Sequence, residues 1–196
     1  MNSRENILNA VADNKPELVK MPDILIRSEE NRNKILKEFI AMLNIINAQV
    51  ILADSIDDIK NDVENSIVEE GYIVNTIAEL GQVNNEVNPA NDAIFLDHVY
   101  QAYIRGSLGV SENGAIWIEE SKMKNRLLPF ICQHLILVID SNKIVANMHE
   151  AYCRIKIDLE GFGVFIAGPS KTADIEQSLI IGAHGPRSLK VYLLNK

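Results

Sequence analysis

The chain has 196 residues, 47% of them hydrophobic, with 27 acidic against 19 basic residues and a formal net charge of −8. That length and apolar content suit one domain with a substantial core and exclude a disordered segment. The acidic balance argues against nucleic acid or an anionic membrane as the main partner, while leaving room for a local basic pocket. Cys132 and Cys153 are far apart, with no Cys-x-x-Cys spacing. An iron–sulfur cluster takes about four thiolates, so this chain alone is expected to hold none and its thiols to be reduced. Met1 to Ile7 lack a signal-peptide apolar run, and no segment approaches the ~18 apolar residues of a membrane span. A cytoplasmic protein without a membrane partner is expected.

In chain order, Ile7, Leu8 and Val11 give a short amphipathic helix over residues 2–12, with Ser3 as its N-cap, ended by Asn14-Lys15-Pro16. Ser28 is expected to cap a longer helix, whose face is Ile35, Phe39, Met42, Leu43 and Ile46. Val50 to Ala53 reads as a buried strand. Ser55 and Asp58 start a helix through Ile59, Val63 and Ile67. Tyr72-Ile73-Val74 and Ala93 to Leu96 read as strands separated by a polar loop, Gly81 to Pro89. Periodicity leaves Tyr100 to Arg105 open between helix and strand. Ala115 to Glu119 follows the turn Ser111-Glu112-Asn113-Gly114 as a strand. Leu135 to Ile139 is the clearest buried strand, and Asn147 to Ile155 a helix with Met148, Tyr152 and Ile155 facing inward. Gly163 to Ala167 and Val191 to Leu194 complete the strands. The alternation predicts an α/β fold: three layers, a largely parallel sheet flanked by helices. Residues 1–48 form an N-terminal helical extension packed on a domain of residues 49–196.

Between the last strands lies Gly168-Pro169-Ser170-Lys171-Thr172-Ala173-Asp174-Ile175-Glu176, then Gly182-Ala183-His184-Gly185-Pro186-Arg187 and Leu189. This segment resembles the signature of the lactate-utilisation protein C family, the LUD-domain proteins. That pattern runs roughly Gly-Pro-Ser-x-Thr-Ala-Asp-Ile-Glu, then Gly-x-His-Gly-Pro. A second family run, Ala-Glu-Thr-Gly-Thr, is similar to the segment Ser111 to Ala115, where Glu112 and Gly114 keep the pattern and Asn113 replaces threonine. The glycine-rich turn common in the family is replaced by Ser121-Lys122-Met123-Lys124-Asn125. The resemblance implies a fold similar to the sugar-phosphate isomerase and CoA-transferase group. It also implies a part in oxidising L-lactate to pyruvate beside iron–sulfur partner subunits, with no cofactor of its own.

The residues allow specific chemistry, each with a plainer alternative. Backbone N–H groups from Ser170 to Thr172, their hydroxyls and Lys171 would suit a carboxylate or phosphate; alternatively Ser170 or Thr172 caps a helix with Asp174 and Glu176 in its first turn. Asp174 and Glu176 share a face on a strand but point about 160° apart on a helix. His184 and Arg187 would grip a carboxylate, or His184 fixes its turn while Arg187 pairs with Glu176 or Asp174. Glu112 would reach the sheet edge where open α/β sheets bind ligands, or stay solvated. His98, His134 and His149 show no ligand spacing, and Trp117 and Phe165 read as core.

The expectations are therefore Glu112, Asp174, Glu176 and His184 as catalytic candidates, and Gly114, Gly168, Pro169, Ser170, Thr172, Gly185 and Arg187 as ligand-binding candidates, with no metal. The expected function is a subunit of an L-lactate utilisation system that binds a small carboxylate or an iron–sulfur partner subunit. Whether the chain catalyses anything alone stays open. The alternative is a stand-alone isomerase- or CoA-transferase-like enzyme acting on a small phosphorylated or acyl-CoA substrate, with Glu112 or Glu176 as nucleophile or base. An assembly scaffold is a third reading.

Overall fold

The computed structural model describes residues 2–20, 31–69, 72–81, 87, 92–156, 158, 161–173, 179–182 and 184–195. Its centre is a five-stranded sheet of β1 (Ala48–Ala53), β2 (Tyr72–Asn75), β3 (Val99–Arg105), β6 (His134–Asp140) and β11 (Ser188–Leu194), ordered β1-β11-β6-β3-β2. Every neighbouring pair is parallel. Parallel strands covered on both faces carry apolar side chains in both directions. In β6, Leu135, Leu137 and Ile139 enter one apolar cluster while Ile136 and Val138 enter another, as the period of two requires.

The second of those faces is covered by α3 (Ile56–Glu69), which crosses from β1 at one edge to β2 at the other. Ile59 and Val63 pack there among Ile73, Tyr103 and Tyr192. The Ser55 and Asp58 side chains each accept from the other's backbone N–H, at 3.3 and 2.9 Å, forming the expected capping box. On the opposite face α2 (Arg32–Ile45) buries Ile35, Phe39 and Leu43. Beside it lies a second sheet of β4 (Leu108–Val110), β5 (Ile116–Glu119), β7 (Ile144–Val145) and β8 (Gly163–Ile166), ordered β7-β4-β5-β8. Short helices complete this layer: α4 (Ala93–Leu96), α5 (Glu120–Met123), α6 (Leu128–Ile131) and α7 (Met148–Arg154). A hairpin pairs β9 (Lys171–Ala173) with β10 (Leu179–Ile181).

Several local expectations are corrected. The N-cap of α1 (Ser3–Asp13) is Asn2, in a capping box with Glu5, rather than Ser3. Ser28 lies outside the described residues; α2 is capped by Asn31, whose Oδ1 accepts from Lys34 N at 3.2 Å. Ala93 to Leu96 is a helical turn, not a strand, because Asp92 Oδ1 accepts from Phe95 N at 2.9 Å and closes it. Tyr100 to Arg105 is strand. Tyr152 is 65% exposed; Ala151 is the buried residue of α7. Apart from Gly81 and Val87, the loop Gly81 to Pro89 is outside the described residues, as is the Ile67 side chain. All of α1 is exposed, whereas α2 is part of the core.

Phe39 is fully buried in the larger cluster. Phe39→Ala is expected to cost about 3–5 kcal/mol in urea unfolding, while Ile7→Ser in exposed α1 is expected to change stability by less than about 0.5 kcal/mol. Burial pushes the Cys132 thiol up to about 12, whereas Cys153 is exposed. At pH 8 the folded protein is therefore expected to react with a thiol reagent at Cys153 alone, and at both cysteines after denaturation. Rapid labelling of Cys132 in the fold would contradict this burial.

Candidate functional site

The parallel sheet presents its carboxyl ends along one edge, where Arg105 ends β3 and Asp140 ends β6. Arg105 Nη2 donates to Asp140 Oδ1 at 2.5 Å, and both side chains are largely buried. Around this pair opens a cleft of about 590 Å³. Its walls come from the segments after β2, β3, β5 and β6, and include Glu79, Ser107, Glu119, Lys122 and Lys143.

Local hydrogen bonds hold these walls. Asn75 Nδ2 donates to the carbonyls of Ile77 and Gly81 at 3.0 and 2.8 Å, fastening the turn that carries Glu79. Thr76 Oγ1 donates to Lys122 O at 2.7 Å. Gly106 N donates to Val138 O and Ser107 N to Trp117 O, at 2.9 and 2.8 Å. Arg126 grips Glu120 through two hydrogen bonds of 2.7 and 2.8 Å, and its guanidinium lies 5.0 Å from the Phe162 ring. The Arg126 hydrogen bond holds the Glu120 carboxyl below its usual range. This fastened turn delivers Lys122 to the cleft.

The cleft walls carry both signs, Glu79 and Glu119 against Lys122 and Lys143. Arg105 is committed to Asp140, but Lys122 and Lys143 form no ion pair among the described residues. Ser107 Oγ is buried without a hydrogen-bond partner among the described residues. A buried hydroxyl left this way is costly and is satisfied by a ligand or water. Among the described residues no group of three or more His, Cys, Asp or Glu is placed to hold a metal ion.

The signature segment lies at the other edge. Arg187 N donates to Gln133 O at 2.8 Å, and Ser188 pairs with His134 where β11 and β6 begin. Gly114 and Gly168 both have positive φ and both press on Ile46, at the end of α2. A Cβ on Gly168 would lie 2.6 Å from Ile46 O, and one on Gly114 2.9 Å from Ile46 Cδ1. Here the close backbone approach is to the chain's own helix. Pro169 is buried and Gly185 packs on Ser170. Ser170 N donates to Pro186 O at 2.9 Å, and Lys171 Nζ to Ile46 O at 2.9 Å. Thr172 lies in β9 opposite Ile180, so residues 171–173 are strand and Ser170 caps no helix there. His184 and Arg187 are exposed, and the Arg187 stem lies over Gly182. Asp174 and Glu176 lie outside the described residues.

Glu112 sits in the turn that also carries Gly114. It is exposed in the β4–β5 turn, and its Oε2 accepts from Met148 N at 2.9 Å, at the start of α7. It does not line the cleft. The structure thus brings Gly114, Gly168, Pro169, Ser170, Gly185 and Arg187 to the amino edge, beside a His134 Nδ1 to Ser188 Oγ contact of 2.7 Å. The cleft residues Arg105, Ser107, Glu119, Lys122 and Lys143 were not singled out from sequence. The signal was present: Arg105, Glu119 and Asp140 each end an apolar run that becomes a strand, which is where α/β sheets place ligand groups.

A model of the LUD domain matches residues 36–194. A lactate utilization protein C from Shouchella clausii is 36% identical over 83 residues, covering 39% of this chain and 36% of that protein. One from Geobacillus kaustophilus is 29% identical over 108 residues, covering 50% and 45%. One from Bacillus pumilus is 27% identical over 136 residues, covering 66% and 54%. The chain therefore spans between about a third and about half of the length of these relatives. A crystal structure of a DUF162 family protein from Deinococcus radiodurans shares the fold, with a TM-score of 0.66 over 85% of this chain and 99% of that one at 18% identity. The family match runs from α2 through both sheets to β11, and the chain belongs to the LUD-domain family.

Proposed function

We propose that the chain works in L-lactate utilisation as the subunit that binds a small carboxylate, with electrons carried by iron–sulfur partner subunits. The relatives' names support the pathway. The observation that carries the binding role is the cleft at the carboxyl edge, where among the described residues Lys122 and Lys143 have no ion pair and Ser107 Oγ has no hydrogen-bond partner. A carboxylate accepts charge-assisted hydrogen bonds from the two ammonium groups, and the hydroxyl or keto oxygen next to it suits Ser107. Oxidising lactate to pyruvate removes two electrons and two protons. A cluster of about four thiolates exceeds the two cysteines of this chain, so the electron acceptor belongs to cysteine-rich partners. At the opposite edge, the exposed Lys171, His184 and Arg187 are the surface offered to such a partner.

A second reading is favoured by one observation. A cleft of about 590 Å³ is larger than a three-carbon acid fills, which suits a stand-alone isomerase- or CoA-transferase-like enzyme with a phosphorylated or acyl-CoA substrate. Turnover of such a substrate by the isolated chain, lost in Glu119→Gln, would select that reading.

Calorimetry is expected to show pyruvate or L-lactate binding to the purified chain. The Lys122→Ala, Lys143→Ala double variant is expected to weaken binding by about tenfold or more. Arg187→Ala is expected to leave binding intact and to lower lactate oxidation reconstituted with the cysteine-rich subunits. Lactate oxidation by the isolated chain would refute the division of labour.

A further inference from the structure

The cleft does not end at Lys143. Ser107, Glu119 and Lys143 also wall a second hollow of about 330 Å³, bounded by Leu108, Trp117 and Ile155 and rimmed by Asn142 and Arg154. The first compartment is polar and charged; the second has an apolar side. Trp117 is fixed there. A Cβ on Gly163 would lie 2.1 Å from its Cζ2, so the absence of a side chain makes room for the indole. Its other neighbour is Phe165, with ring centroids 4.8 Å apart.

Charge is present in the second compartment as well. Arg154 makes no ion pair among the described residues. It repels Arg32, whose guanidinium donates to the carbonyls of Ser141 and Ile144; burial first, and that repulsion second, lower the Arg32 pKa. The second hollow thus carries positive charge at its Arg154 rim beside its apolar wall. Glu119 stands on the shared wall. Together with Glu79 of the first compartment it opposes an anion, but a carboxylate is the group that accepts hydrogen bonds from vicinal ribose hydroxyls.

We propose that the two compartments together hold a mononucleotide-class ligand. Its base lies against Leu108, Trp117 and Ile155, its ribose hydroxyls donate to Glu119, and its phosphates lie among Lys122, Lys143 and Ser107. Ligand pockets of about 300–1,000 Å³ are the usual size for such molecules. The inference rests on the carboxyl-edge cleft being the ligand site, as proposed above, but not on lactate being the substrate. It makes the cleft wide enough for a nucleotide alongside, or in place of, a small acid.

The chain contains a single tryptophan, so its emission reports on this hollow alone. The full chain is titrated with ADP, and with adenosine and inorganic phosphate as controls. Saturation-transfer NMR on the ADP ring protons is a second readout, since a bound base need not alter emission. The expected result is saturable ADP binding, at least tenfold tighter than adenosine or phosphate. Lys143→Ala is expected to weaken ADP by about tenfold, and Glu119→Gln to weaken ADP while sparing phosphate; thermal melts confirm that both variants fold. No ADP binding by either readout overturns the inference, as does ADP binding no tighter than phosphate. Pyruvate calorimetry separates the two failures: if pyruvate binds and ADP does not, this inference alone is lost, and if neither binds, the cleft itself is.

Discussion

The ion pair between Arg105 and Asp140 ties the carboxyl ends of β3 and β6 together, and the rest of the site is arranged around it. A largely buried pair of this kind adds little net stability, but removing one partner strands a charge and costs about 3–5 kcal/mol. Its structural effect is to neutralise the floor of the cleft. Lys122 and Lys143 then share the walls with Glu79 and Glu119, and offer local ammonium donors in a chain that is acidic overall. The walls hang from rigid strands through the Asn75, Thr76 and Gly106 hydrogen bonds, and fixed donors of this kind position a ligand better than mobile loops do.

The two edges of the sheet are built differently. At the amino edge several groups that could face an anion are bonded to the chain, Ser170 N to Pro186 O and Lys171 Nζ to Ile46 O, with Gly114 and Gly168 against Ile46, while His184 and Arg187 are exposed. Those glycines let the second sheet close onto the end of α2. At the carboxyl edge, among the described residues, a hydroxyl without a hydrogen-bond partner and ammonium groups without an ion pair surround a cavity. Glu112 does not line the cleft; its carboxylate supports the first turn of α7.

Much of the fold was legible because the signals were strong. Leu135 to Ile139 is an apolar run whose alternate residues feed two cores, and Ser55 with Asp58 is a capping box that names its helix start. Ala93 to Leu96 was misread because a four-residue apolar run has no measurable period, and the deciding contact is a single Asp92 cap. Tyr152 was misplaced because α7 is only seven residues long and buries Ala151 instead. The cleft was illegible for a different reason. Lys122 and Lys143 are ordinary surface lysines in sequence, and only the strand order brings the ends of β2, β3, β5 and β6 together. The family segment drew attention to the amino edge, where the sequence pattern is dense but the groups are structurally engaged.

The central claim is that ligands bind at the carboxyl edge. It is tested most directly by mapping amide chemical-shift changes in the labelled full chain on addition of pyruvate. The account predicts shifts concentrated at residues 105–107, 119–122 and 140–143. Shifts confined to residues 168–171 and 184–187 would contradict it and return the site to the amino edge.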